Sequence, residues 1–135
     1  MILKTEGEKP LKILIAEDDT LSALLLTRAV EVYCDAVLLV TNGVDAVETC
    51  HNNPDIDLVL MDIKMPLMDG YEATKQIRRF NKDMIIIAQT AYSLSYDRQN
   101  ALEAGCNDYI SKPYSQAVLI GLMNKCLDRQ LNKKS

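Results

Sequence analysis

Residues 57–70 read DLVLMDIKMPLMDG. Leu58, Val59, Leu60 and Met61 form an unbroken apolar run, and the run ends on a carboxylate, Asp62. Apolar residues that do not alternate with polar ones predict a strand buried on both faces, as in a parallel sheet covered by helices. An acid at the tip of such a strand loses part of its hydration, which is unfavourable unless a partner compensates. Pro66 cannot continue a central strand, so the chain leaves the sheet soon after Asp62. Asp69-Gly70 then reads as the start of a helix with Ala73, Ile77 and Phe80 on its inner side.

The same unit recurs on both sides of this stretch. Residues 12–16 (KILIA), 36–40 (AVLLV), 84–89 (MIIIAQ) and 108–111 (DYIS) predict four more strands. Helical patterns fill the intervals. The first begins near Leu21, with Leu21, Leu24, Leu25, Ala29 and Val32 at helical spacing. The second follows Asn42, which with Asp45 resembles a capping box, and ends by residues 51–54. A polar helix covers 95–104 and closes at Gly105. The last runs from 115 to 131, with Val118, Leu119, Leu122, Met123 and Cys126 at core spacing. Five strands alternating with five helices predict an α/β fold with a five-stranded parallel sheet and helices on both faces. Right-handed crossovers leave few topologies, and the flavodoxin-like order 2-1-3-4-5 is the natural one. Residues 1–10 and 132–135 read as tails or linker remnants around one domain at 11–131.

Composition narrows the function classes. The chain has 135 residues, 48% hydrophobic and 25% charged, which suits one globular domain able to bury roughly two-thirds of its unfolded surface. Neither a membrane span nor a signal peptide is expected, so the domain reads as cytoplasmic, free or as the cytoplasmic part of a membrane-anchored kinase, and without membrane contact of its own. A net charge of −4 argues against a nucleic-acid surface. The basic cluster Lys125, Arg129, Lys133 and Lys134 fits a helix C-terminus, which attracts cations. Cys34, Cys50, Cys106 and Cys126 contain no CxxC pair, and the sole histidine, His51, has no neighbouring ligand. Structural zinc and a thiol–histidine nucleophile are therefore not expected. The cysteines read as small apolar filler in a reducing compartment.

In a doubly wound sheet, ligands bind outside the C-terminal ends of the strands, where strand order reverses. Glu17, Asp18 and Asp19 follow the first strand, Asp62 ends the third, Thr90 follows the fourth and Lys112 the fifth. Any one of these has a plain structural use, and Asp18, Asp19 or Thr20 could simply cap the first helix. Together they place acids, a hydroxyl and an ammonium at one edge. Clustered carboxylates need positive compensation. Lys112 can supply it, and so can a hard divalent cation, best Mg²⁺, which takes one or two carboxylates and keeps waters.

The motifs IAEDD (15–19), LMDIKMPLMDG (60–70), QTA (89–91) and DYISKPY (108–114), in this order, resemble the receiver domain of two-component response regulators. The resemblance covers residues 11–130 and implies a CheY-like fold. It implies that Asp62 accepts a phosphoryl group from the phosphohistidine of a histidine kinase or phosphotransfer domain. It further implies Mg²⁺, with Mn²⁺ able to substitute, held by Asp18, Asp62 and the backbone carbonyl of Lys64, with Glu17 acting through water. Thr90 and Lys112 would contact the phosphoryl oxygens, and the Lys112–Pro113 bond would be cis. Thr90 and Tyr109 would form the switch that alters the surface of the fourth helix, fifth strand and fifth helix. A buried core tyrosine is the plainer reading of Tyr109. Asp19 stands where the family commonly has asparagine or an apolar residue and is not counted as a ligand. Such a domain is no enzyme beyond catalysing its own phosphorylation and dephosphorylation.

Lys64 and Tyr92, each two residues past a key position, would flank an attacking water, and neither suits orienting it. A slowly hydrolysed phosphorylated state is expected. Lys64 also argues against a rival reading, a metal-dependent hydrolase with an aspartyl-phosphate, which would carry a second acid there. The complete acid, hydroxyl and lysine set argues against a phosphorylation-independent interaction module. The AEDD and AGCNDYISKP phrasing resembles receivers of hybrid histidine kinases more than stand-alone ones. A stand-alone receiver and a relay intermediate stay open, as do the downstream effector and the oligomeric state.

Overall fold

The structure is a computed structural model that describes residues 11–91 and 95–134. Residues 1–10, read as a tail, lie outside the described residues, and so does Tyr92. Five parallel strands, β1 (Lys12–Ala16), β2 (Ala36–Val40), β3 (Leu58–Asp62), β4 (Ile85–Thr90) and β5 (Asp108–Ser111), form one sheet in the order β2-β1-β3-β4-β5. The expected topology is the observed one. The two apolar strands β3 and β4 lie in the middle and are buried throughout.

Helices α1 (Thr20–Val30) and α5 (Gln116–Lys134) cover one face. Leu26, Val30, Leu119 and Met123 pack there on Ile13, Ile15, Leu58, Leu60, Ile85 and Ile87. Helices α2 (Gly43–Asn52), α3 (Gly70–Arg78) and α4 (Ser95–Ala104) cover the other. Ala46, Cys50, Ala73, Ile77 and Ala101 meet Leu14, Val59, Met61, Ile86 and Ala88 there. Cys50, Cys106 and Cys126 are buried free thiols and Cys34 is half-buried, as filler requires.

Local signals set the helix starts. Asn42 accepts from the Asp45 backbone N–H at 2.7 Å while its amide donates to the Asp45 carboxylate at 3.0 Å, a reciprocal cap. Asp19 and Asp69 cap α1 and α3, accepting from Ser22 and Glu72 backbone N–H groups. Gly105 has φ +112°, the left-handed conformation that ends α4.

Several expectations need correction. The stripe expected on α1 faces outward: Leu21 is 63% and Leu25 60% exposed, while Ala23, Leu26 and Val30 hold the core. Val32 falls in a short 3₁₀ turn, Glu31–Tyr33, and is exposed. The helix TLSALLLTRAV is apolar around most of its circumference, so spacing alone does not choose its buried face. Phe80 lies past the end of α3 and meets the ring of His51 edge-on, and Val118 points outward from α5. Helix α5 also continues to Lys134, through most of the segment read as a tail.

Candidate functional site

The ends of β1, β3, β4 and β5 bring Glu17, Asp18, Asp62, Thr90 and Lys112 around one cleft of about 490 Å³, with Lys64 also on its wall. Backbone bonds hold each strand end in place. Glu17 donates to the Val40 carbonyl at 3.0 Å, Ile63 to Gln89 at 3.1 Å, and Lys112 to Thr90 at 2.7 Å. The loop leaving β3 folds back, and Gly70 N–H donates to the Ile63 carbonyl at 2.8 Å. A Cβ on Gly70 would lie 2.2 Å from the Asp62 carbonyl oxygen, so only glycine allows this approach.

Glu17, Asp62 and Thr90 are buried, while Asp18 is exposed at the cleft mouth. Carboxylate oxygens of Glu17, Asp18 and Asp62 lie within 4.8 Å of one another. Burial, followed by the negative charge of Glu17, pushes the Asp62 carboxyl up to about 7, with Lys112 opposing the rise. The Lys112 ammonium sits 2.7 Å from Glu17 Oε1 and 3.7 Å from Asp62 Oδ1. Burial pulls the Lys112 pKa down, but the hydrogen bond to Glu17 and the charge of Asp62 outweigh it and leave a net rise.

The all-oxygen donor set fits a hard divalent cation. Both Glu17 oxygens are already engaged, Oε1 by Lys112 and Oε2 by the Asp19 N–H at 3.2 Å. Asp18 and Asp62 are thus better placed as direct ligands than Glu17. Asp19 spends its carboxylate on the α1 cap, and hydrogen bonds from Ser22 hold it below the usual carboxylate range.

Tyr109 is half-buried against the α2–α3–α4 layer, and its hydroxyl shares a 2.8 Å hydrogen bond with Ser111 Oγ. Ser111 pairs with Thr90 across β4 and β5, so the phenol is one residue removed from Thr90. The Lys112–Pro113 bond is cis.

Sequence reasoning did not single out Tyr71, Asp97 and Asn100, which extend the cleft wall. It also passed over Gln89 and Tyr114, whose side chains meet beneath the site. A glutamine closing the otherwise apolar MIIIAQ was the available signal.

Residues 13–124 match the response regulator receiver domain family. A hybrid signal transduction histidine kinase M of Dictyostelium discoideum is 38% identical over 84% of the chain, which spans 5% of that kinase. The receiver domain of sensor histidine kinase PA1611 from Pseudomonas aeruginosa, solved with magnesium in its active-site cleft, is 34% identical with a TM-score of 0.80. That likeness covers 89% of this chain and 99% of the other. The Saccharomyces cerevisiae co-crystal of the phosphotransfer protein Ypd1 with the Ssk1 receiver gives 30% identity and a TM-score of 0.81, over 92% and 94% of the two chains. Fold, strand-end residues and these likenesses agree: the chain belongs to the response regulator receiver domain family.

Proposed function

We propose that Asp62 is the phosphoacceptor of a Mg²⁺-dependent transfer from a phosphohistidine on a histidine kinase or phosphotransfer protein. The observation that carries this reading is the convergence of Glu17, Asp18, Asp62, Thr90 and Lys112 on one cleft. Asp62 attacks phosphorus through a carboxylate oxygen, the bond to the histidine nitrogen breaks, and an acyl phosphate forms. Asp18, Asp62 and the Lys64 carbonyl would hold the metal, with Glu17 acting through water, and the bound metal would neutralise phosphoryl charge. The Thr90 hydroxyl and Lys112 ammonium each take a phosphoryl oxygen. Tyr109 then follows Thr90 and alters the surface of α4, β5 and α5. The Ypd1–Ssk1 pair supports a protein donor, and so do the outward leucines of α1 beside the site.

Incubation with acetyl phosphate and Mg²⁺ should add one phosphoryl mass, lost in acid or base, and Asp62→Asn should take none. Labelling that survives Asp62→Asn would overturn the assignment. Lys64 lines the cleft and is exposed, consistent with a side chain that does not orient water. Lys64→Asn combined with Tyr92→Glu should shorten the phosphorylated lifetime, read by the same mass assay. An unchanged lifetime would remove that role.

A further inference from the structure

Strand β4 is apolar from Ile85 to Ala88 and then carries Gln89, which is fully buried. Strand register sets Gln89 directly beside Asp62. Leu58 and Leu60 share the α1–α5 core layer with Ile85 and Ile87. Alternation then turns Asp62 and Gln89, each next in its row, to that same side. Glu17 and Lys112 follow Ile15 and Ile110 of that layer in the same way. Neighbouring strands lie about 4.8 Å apart, so the paired positions set the Gln89 side chain alongside that of Asp62.

Only one end of that amide is used. Gln89 Oε1 accepts from the Tyr114 hydroxyl, while Nε2 has no hydrogen-bond partner among the described residues. Native interiors seldom keep a buried donor unpaired without a reason, because desolvating it is unfavourable. Tyr114 follows Lys112 by two residues and lines a cavity of about 410 Å³ between α1 and α5. Burial, then the charges of Glu17 and Asp62, holds its phenol above the usual range, so it remains a donor.

We propose that Gln89 assists loss of phosphate from Asp62: its unpaired amide N–H donates to the Asp62 carboxyl group once that group carries a phosphoryl group, and Tyr114 is the positioning residue that holds the amide in the required orientation. The proposal rests on Asp62 being the phosphoacceptor. In hydrolysis the phosphorus–oxygen bond to Asp62 breaks as the oxygen of water bonds phosphorus. The electron pair returns to the Asp62 carboxylate, and the proton of water leaves to solvent. A donor on that carboxylate stabilises the charge it regains, so Gln89 shortens the life of the acyl phosphate.

The test uses the full chain phosphorylated with acetyl phosphate and Mg²⁺, then freed of donor, with decay followed by intact mass. Gln89→Met should slow the loss roughly three- to tenfold, the scale of one hydrogen bond. Tyr114→Phe should slow it less, and should add nothing in the Gln89→Met background. Equal lifetimes of wild type and Gln89→Met would overturn the proposal. So would a Tyr114→Phe effect undiminished in the Gln89→Met background, or an equally large change in Mg²⁺ affinity of the unphosphorylated Gln89→Met chain. Should Gln89→Met not fold, Tyr114→Phe alone decides, and a wild-type lifetime in it counts against the proposal. Failure of wild type to label at all would overturn the phosphoacceptor reading as well, whereas normal labelling with equal lifetimes would remove only this one.

Discussion

At the residue scale, Asp62 is a charge the fold tolerates poorly by itself. Its folded pKa of about 7 stands above the ordinary 3.8, burial being the first cause and Glu17 the second. The folded state therefore holds a proton that the unfolded state has already released between these values. Stability from this group is present below about pH 4 and is lost as pH rises through 7. Without divalent cation, the melting temperature should fall from pH 5 to pH 8. Asp62→Asn should flatten that profile and melt above wild type at pH 8, measured by calorimetry. A wild-type profile in the variant would mean that another group sets it. Mg²⁺ at about a hundred times its dissociation constant should restore roughly 2.7 kcal/mol.

At the scale of elements, α1 and the turn after β3 carry the informative departures. Helix α1 keeps Ala23, Leu26 and Val30 for the core and turns Leu21, Leu24 and Leu25 to solvent. Leu21→Ser with Leu25→Ser should move stability by no more than about 0.5 kcal/mol each, since exposed sites contribute little. The same pair should slow phosphotransfer from a phosphohistidine protein about tenfold or more while acetyl phosphate labelling stays unchanged. Equal rates from the protein donor would show that α1 is not the docking face. In the β3–α3 turn, Gly70→Ala places a methyl 2.2 Å from the Asp62 carbonyl oxygen. The backbone must yield, at about 1–3 kcal/mol, and Mg²⁺ affinity should fall with it because the shifted atoms carry the site. Denaturant unfolding and metal titration of the same variant read the two effects.

For the whole molecule, the site exists because β1, β3, β4 and β5 end at one edge, next to where the chain reverses its direction of winding. Backbone hydrogen bonds tie each strand end to its neighbour where it delivers its residue, and so bring Asp62 to Glu17 and Lys112. No described helix is long and apolar enough to cross a membrane. The strands and strand-end residues were legible because unbroken apolar runs and punctuating polar residues are local signals. Three strand ends shifted by one residue, Asp57 falling outside β3, Met84 outside β4 and Thr90 inside β4, within the usual scatter of boundaries. The buried face of α1 was not legible, because a helix apolar nearly all round offers two docking faces and only the sheet beneath chooses one.

The sequence by itself determined the alternation of strands and helices, hence the topology, and which residues stand at the strand ends. Period, caps and chain-breaking residues are properties of short stretches and survive without tertiary context. Only the tertiary structure decided how those residues share their charges. It gave Glu17 to Lys112, Asp19 to a helix cap, and the Gln89 amide to Tyr114. Such pairings join residues far apart in the chain, and they depend on packing distances of a few ångströms that no local pattern encodes.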